Sequence, residues 1–237
     1  MAKNIKKRSA SHIYFGVNKL TGELKHISEV PSGQKCNCIC AACLQPFEAR
    51  KGTRRRHHFA HVSNYECMYA SEVAIYKAFA EALKQSGFLA LPPVMLRFPA
   101  WHDPELLQET RRLKIDSVAF ECEPLSYPPL LRVTMQGTPL RILLNFDRYY
   151  DDDDSVKLAE EAKAEDYSLL LISMPKIDQD TEFTPDRLQS VLQDNDRTEW
   201  VFSRLEEQWK QKYYAVAVSP PEHGTGNLCP ISFGKYK

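Results

Sequence analysis

The chain has 237 residues, 43% of them hydrophobic and 26% charged, and its 31 lysines and arginines balance 31 aspartates and glutamates. Such a composition fits one large globular domain or a small one beside a medium one. With no net charge, any attraction for nucleic acid must come from a local patch rather than from the bulk field. No apolar run approaches the roughly 18 residues of a membrane span, and no apolar segment follows the basic N-terminus MAKNIKKRSASH, so the chain reads as cytoplasmic, without signal peptide or membrane partner.

In chain order, the patches of residues 12–35, broken by Thr21-Gly22, predict a β-hairpin. Residues 36–67 hold five of the seven cysteines (Cys36, Cys38, Cys40, Cys43 and Cys67) together with the run His57-His58-Phe59-Ala60-His61. Strands are expected near 46–50 and 56–61, joined by the basic turn Lys51-Gly52-Thr53-Arg54. From Ala70 the texture changes. Val73, Ile75, Tyr76, Phe79, Ala80 and Leu83 recur at helical spacing and Gly87 follows, so 70–86 is a helix with a glycine stop. Strand-like runs follow at 93–98, 113–121, 130–136 and 140–146, the last two joined by Gly137-Thr138-Pro139. Residues 155–166 read as a helix capped by Ser155. The acidic run Asp151–Asp154 before it reads as a loop. The continuous apolar run 168–174 reads as a buried strand, 184–194 and 197–212 read as helices, and the last 20 residues as an irregular tail. The expectation is an α/β protein with a mixed sheet, in which an N-terminal β-rich module of residues 1–69 precedes an α/β domain of residues 70–237.

The cysteine cluster carries the most specific chemistry. Two residues separate Cys40 from Cys43, 17 separate Cys43 from His61 and five separate His61 from Cys67. A Cys-x2-Cys knuckle presents two thiolates to one ion, and a distal pair closes a tetrahedron, so a structural zinc site of Cys40, Cys43, His61 and Cys67 is expected. A segment this poor in apolar side chains needs such a staple to fold. His58 competes with His61, and strand alternation turns the two to opposite faces, leaving room for only one as a ligand. The role of Cys36 and Cys38 stays open between a replacement ligand and free thiols. Lys51, Arg54, Arg55 and Arg56 form the strongest basic cluster, suited to phosphates, with Lys77 a further cation.

The string Cys40-Ala41-Ala42-Cys43, Arg50-Lys51-Gly52, His58-Phe59-Ala60-His61 and Cys67, with Ser71-Glu72 opening a helix, resembles the competence protein CoiA-like family over about residues 36–85. The resemblance implies a zinc-ribbon-like module followed by a restriction-endonuclease-like PD-(D/E)XK nuclease domain, whose order of elements is α-β-β-β-α-β. It implies Mg²⁺- or Mn²⁺-assisted phosphodiester hydrolysis on DNA, with carboxylates holding the metal. Glu72 fits the helix acid and Asp116 the strand acid. The Glu-x-Lys pair expected on the next strand is missing, so Asp147 or Glu121 must complete the set. Two readings follow. The first is a metal-dependent nuclease with a rearranged site. The second is a catalytically silent subunit that binds nucleic acid, another protein or a second copy of itself within a DNA-processing or defence assembly.

Overall fold

The computed structural model describes residues 12–63, 67–97, 103–123, 128–146, 152–175 and 182–218. Asp147 and the C-terminal tail from residue 219 lie outside the described residues. The architecture is mixed α/β.

A three-stranded antiparallel sheet of β1 (Phe15–Asn18), β2 (Leu24–His26) and β3 (Cys38–Ile39) opens the chain, in the order β2-β1-β3. The β1–β2 hairpin fulfils the expectation for residues 12–35. A second hairpin pairs β4 (Phe47–Arg50) with β5 (His58–His61), in the register Phe47↔His61 and Arg50↔His58. Gly16 lies where β1 meets that hairpin. A Cβ there would stand 3.1 Å from the Cys38 Cβ and 3.3 Å from the Phe47 ring, a tight approach that any larger residue could make only if these neighbours gave way.

Helix α1 (Ala70–Ser86) carries the apolar spacing read from the sequence and ends at Gly87, whose φ is 66° and whose N–H donates to the Leu83 carbonyl. It is buried along most of its length because two layers use it. Its buried residues share one cluster with Tyr14, Phe15, Phe47 and Phe59 of the N-terminal strands and with Leu131, Leu140, Ile142 and Leu144 of the main sheet. One continuous hydrophobic core therefore runs across residue 69, from the Cys/His segment into the α/β part. Each fully buried residue of the Phe79 or Leu83 type contributes about 1.5–3 kcal/mol.

Beyond α1 come two short antiparallel pairs, β6 (Phe88–Leu91) with β9 (Arg111–Lys114) and β7 (Val94–Leu96) with β8 (Glu105–Gln108). The main sheet has the order β10 (Ser117–Glu121), β11 (Leu130–Met135), β12 (Thr138–Asn145), β13 (Ser168–Ser173), β14 (Thr198–Phe202). Its first three strands form an antiparallel meander. Helix α2 (Asp152–Ala164) then carries the chain to β13, parallel to β12, and β14 closes the edge antiparallel. Helices α3 (Pro185–Gln193) and α4 (Arg204–Val218) follow. The expected α-β-β-β-α-β order appears in α1 and the main-sheet elements β10-β11-β12-α2-β13, with the four short strands β6–β9 inserted after α1.

Three sequence expectations change. The run 113–121 is two strands, because the chain breaks at Ile115-Asp116: the Ile115 N–H goes to the Gly87 carbonyl and the Asp116 N–H to the Thr134 carbonyl. Residues 198–202 (Thr-Glu-Trp-Val-Phe) are strand rather than helix, since pairing with β13 and the Trp200 indole bond to the Pro92 carbonyl outweigh any helical spacing. Finally, Asp152–Asp154 belong to the start of α2 rather than to a loop.

Candidate metal centre and surrounding charges

The Cys/His cluster is assembled from three places. The knuckle Cys40–Cys43 is a tight turn closed by the Leu44 N–H on the Cys40 carbonyl and the Cys40 N–H on the Gln45 carbonyl. Leu44, directly after it, sits in the left-handed region at φ 61°. His61 ends β5, its ring against Phe47 and 6% exposed. Cys67 stands just ahead of α1.

The ligating atoms of Cys40, Cys43 and His61 lie within 4.8 Å of one another, and Cys43 Sγ is 3.2 Å from His61 Nε2. Edges of a tetrahedron around zinc with Zn–S near 2.3 Å and Zn–N near 2.0 Å are about 3.5 Å, so this spacing already suits one ion. Cys67 joins through hydrogen bonds between its sulfur and the thiols of Cys40 and Cys43.

Backbone N–H groups support every sulfur. Ala42 and Cys43 donate to Cys40, Gln45 to Cys43, and Tyr69 and Ala70 to Cys67. Such donors favour the thiolate form that a metal requires. The Cys40 thiol donates to Cys67, which raises Cys40 above the usual range and lowers Cys67 to about 6. Burial raises Cys43 and keeps His61 below 6.5, in the neutral form that can ligate. Cys40, Cys43 and His61 form a donor set that could hold a metal ion and is consistent with zinc, with Cys67 hydrogen-bonded beside it.

His58 does not join the cluster. Strand alternation turns it away from His61, and it donates from Nδ1 to the Arg56 carbonyl at 2.9 Å. Cys36 and Cys38 are core residues 3% and 2% exposed, with their thiols on the carbonyls of Phe47 and Cys36. Cys122, just past β10, faces the charge of Cys67 from outside the cluster. Its position near the site follows from sheet packing, which sequence spacing does not reveal.

Among the described carboxylates expected for catalysis, the fold sets Glu72 and Asp116 apart. Glu72 lies in the first turn of α1, 1% exposed. One turn later the Tyr76 hydroxyl bonds the backbone of Leu144, placing Glu72 at the Asn145 end of β12. Asp116 is at the opposite end of α1, where it is exposed and accepts the Gly137 N–H at 3.0 Å. The fifteen residues from Glu72 to Gly87 measure about 22 Å along a helix, far beyond a metal-bridging distance. Asp116 therefore caps the β11–β12 turn instead of lying in an apolar strand. Glu121, about 16 Å along β10 from Asp116, is exposed and paired with Arg132 at 2.7 Å.

The expected cations also divide. Arg54, Arg55 and Arg56 are exposed on the β4–β5 connection, with Arg56 3.9 Å from Glu182. Lys51 instead donates from its ammonium to the carbonyls of Ser28 and Val30, holding the hairpin to the first sheet. Lys77 stands 5.6 Å over the Phe120 ring and lines a cleft of about 440 Å³ between β2 and α1.

The architecture is that of a mixed α/β protein whose N-terminal strands bring together a Cys/His group that could hold a metal ion. The chain matches none of the protein-family models, curated proteins or solved structures with which it was compared.

Proposed function

We propose that this chain is a nucleic-acid-binding protein in which a closed structural zinc site fixes a basic hairpin against a restriction-endonuclease-like α/β domain. The exposed Arg54-Arg55-Arg56 connection carries the reading. It joins two strands whose other ends are held by His61 and the Cys40–Cys43 knuckle, so the arginines stand on a rigid support from which to neutralise phosphates. The order α-β-β-β-α-β supports the nuclease-like ancestry of the domain. The separation of Asp116 from Glu72, and the pairing of exposed Glu121 with Arg132, support binding rather than cleavage, because metal-assisted hydrolysis needs carboxylates converging on one or two ions.

The direct experiment is fluorescence anisotropy with single- and double-stranded DNA over a salt series, beside a cleavage assay in Mg²⁺ and Mn²⁺. Binding that weakens steeply with salt, without cleavage, is expected. Absence of binding at low salt would overturn the reading. Cleavage lost in Glu72→Gln would favour the metal-dependent nuclease instead, a reading whose specific support is the burial of Glu72 at the Asn145 end of β12, next in sequence to Asp147.

A further inference from the structure

Nothing in the spacing of the sequence connects His12 with the basic hairpin, yet the fold places them together. The Ile13–Phe59 bridge aligns the segment before β1 with β5, and the Ser71 hydroxyl of α1 donates to the His12 carbonyl at 3.2 Å. The His12 ring then meets the His58 ring edge to face, with centroids 4.7 Å apart. Arg55 and Arg56 face the same imidazole closely enough for their charges to act on it.

We propose that the His12–His58 pair, flanked by Arg55 and Arg56, is a binding site for a phosphate group. This rests on the nucleic-acid reading only for the source of that phosphate. Packing cationic and imidazole groups together is unfavourable until an anion enters, so the cluster is electrostatically prepared for one. The hydrogen bond from His58 Nδ1 to the Arg56 carbonyl fixes the tautomer and leaves Nε2 to face a ligand. The groups around His12 are His58, Arg55 and Arg56 from the hairpin, Tyr14 stacked at 6.1 Å, and Ser71 with the buried Glu72 behind it on α1. Glu182 reaches the cluster only at Arg56, across 3.9 Å and in an exposed position.

The site couples anion binding to proton uptake. Burial first, then His58 and the arginines, keeps His12 below its ordinary value of 6.5, so it is neutral near pH 7 before binding. A bound phosphate offsets that repulsion and stabilises the imidazolium. Each proton taken up makes binding about tenfold tighter for each pH unit lost, over the range where the free histidine is neutral and the bound one charged.

The test has two arms, both on the metal-loaded full chain with its metal content verified. In the first, inorganic phosphate is added while the His12 and His58 ring protons are followed by NMR; both sets of resonances should move, and the His12 titration midpoint should rise. In the second, DNA affinity is measured from about pH 7.5 to about pH 6 for wild type and for the double variant His12→Gln/His58→Gln, with the fold checked by circular dichroism. Wild type should tighten by about tenfold or more per proton taken up, and the variant should lose that gain. If phosphate moves neither histidine, or the variant keeps the full pH dependence, the site is refuted. DNA binding with an unchanged slope in the variant would refute this site and leave the nucleic-acid reading standing. Phosphate-shifted histidines without DNA binding at any pH would do the reverse and make free phosphate the ligand.

Discussion

Tyr76 ties α1 to the main sheet at one buried point, and its removal gives a sharp prediction. Its hydroxyl accepts the Leu144 N–H at 2.7 Å and donates to the Leu144 carbonyl at 3.4 Å, and both residues are 0% exposed. The β11–β12 register ends at Leu131↔Ile142, short of Leu144, so the tyrosine supplies what the neighbouring strand does not reach. Tyr76→Phe keeps the ring and leaves the Leu144 N–H without that acceptor, which costs about 1–3 kcal/mol. For a chain of this length each kcal/mol lowers Tm by about 2–4 °C, so about 2 kcal/mol corresponds to about 4–8 °C. The assay is urea unfolding, with a lower midpoint and unchanged slope. Tyr167→Phe is the control: its hydroxyl bonds Arg141 and Glu161 at the rim of α2, where an exposed partner limits the loss to under about 1 kcal/mol. Equal stability of Tyr76→Phe and wild type would refute the bridge between α1 and β12.

Other outcomes follow from the same contacts. Gly16→Ala should destabilise by about 1–3 kcal/mol through overpacking against Cys38 and Phe47, measured by thermal unfolding. Arg54→Ala/Arg55→Ala/Arg56→Ala should weaken DNA binding and reduce the salt slope by up to about three phosphate contacts, whereas Lys51→Ala should lower stability with little change of slope. Stability should fall as pH drops below about 6.5, because burial first of all holds His26 below that value in the fold. The unfolded chain therefore binds the proton first, and His26→Gln should flatten urea midpoints plotted against pH.

Much of the fold was legible because local signals agreed with tertiary packing. Helix α1 had both its apolar spacing and its glycine stop, and β13 had a continuous apolar run buried on both faces. Strand β14 was misread because Trp200, Val201 and Phe202 suit either element, and pairing with β13 decides between them. The grouping of Cys40, Cys43 and His61 was legible, since ligand spacing is a short-range property, and alternation along β5 separates His61 from His58. The carboxylates were not, because convergence is a long-range property. Asp116 falls at a break in the chain where the β10 edge meets Gly87 and Gly137, and no pattern of nearby residues announces that break. The meeting of His12 with His58 was hidden for the same reason, since one bridge across 46 positions of sequence creates it.

The central claim is a closed zinc site that holds the basic hairpin in place. Elemental analysis of the purified chain, with Cys67→Ser and Cys36→Ser/Cys38→Ser beside it, tests that claim most directly. One zinc per chain is expected in wild type and in Cys36→Ser/Cys38→Ser, with loss or sharp weakening of zinc in Cys67→Ser. Zinc absent from wild type, or retained in Cys67→Ser and lost with Cys36 and Cys38, would contradict it.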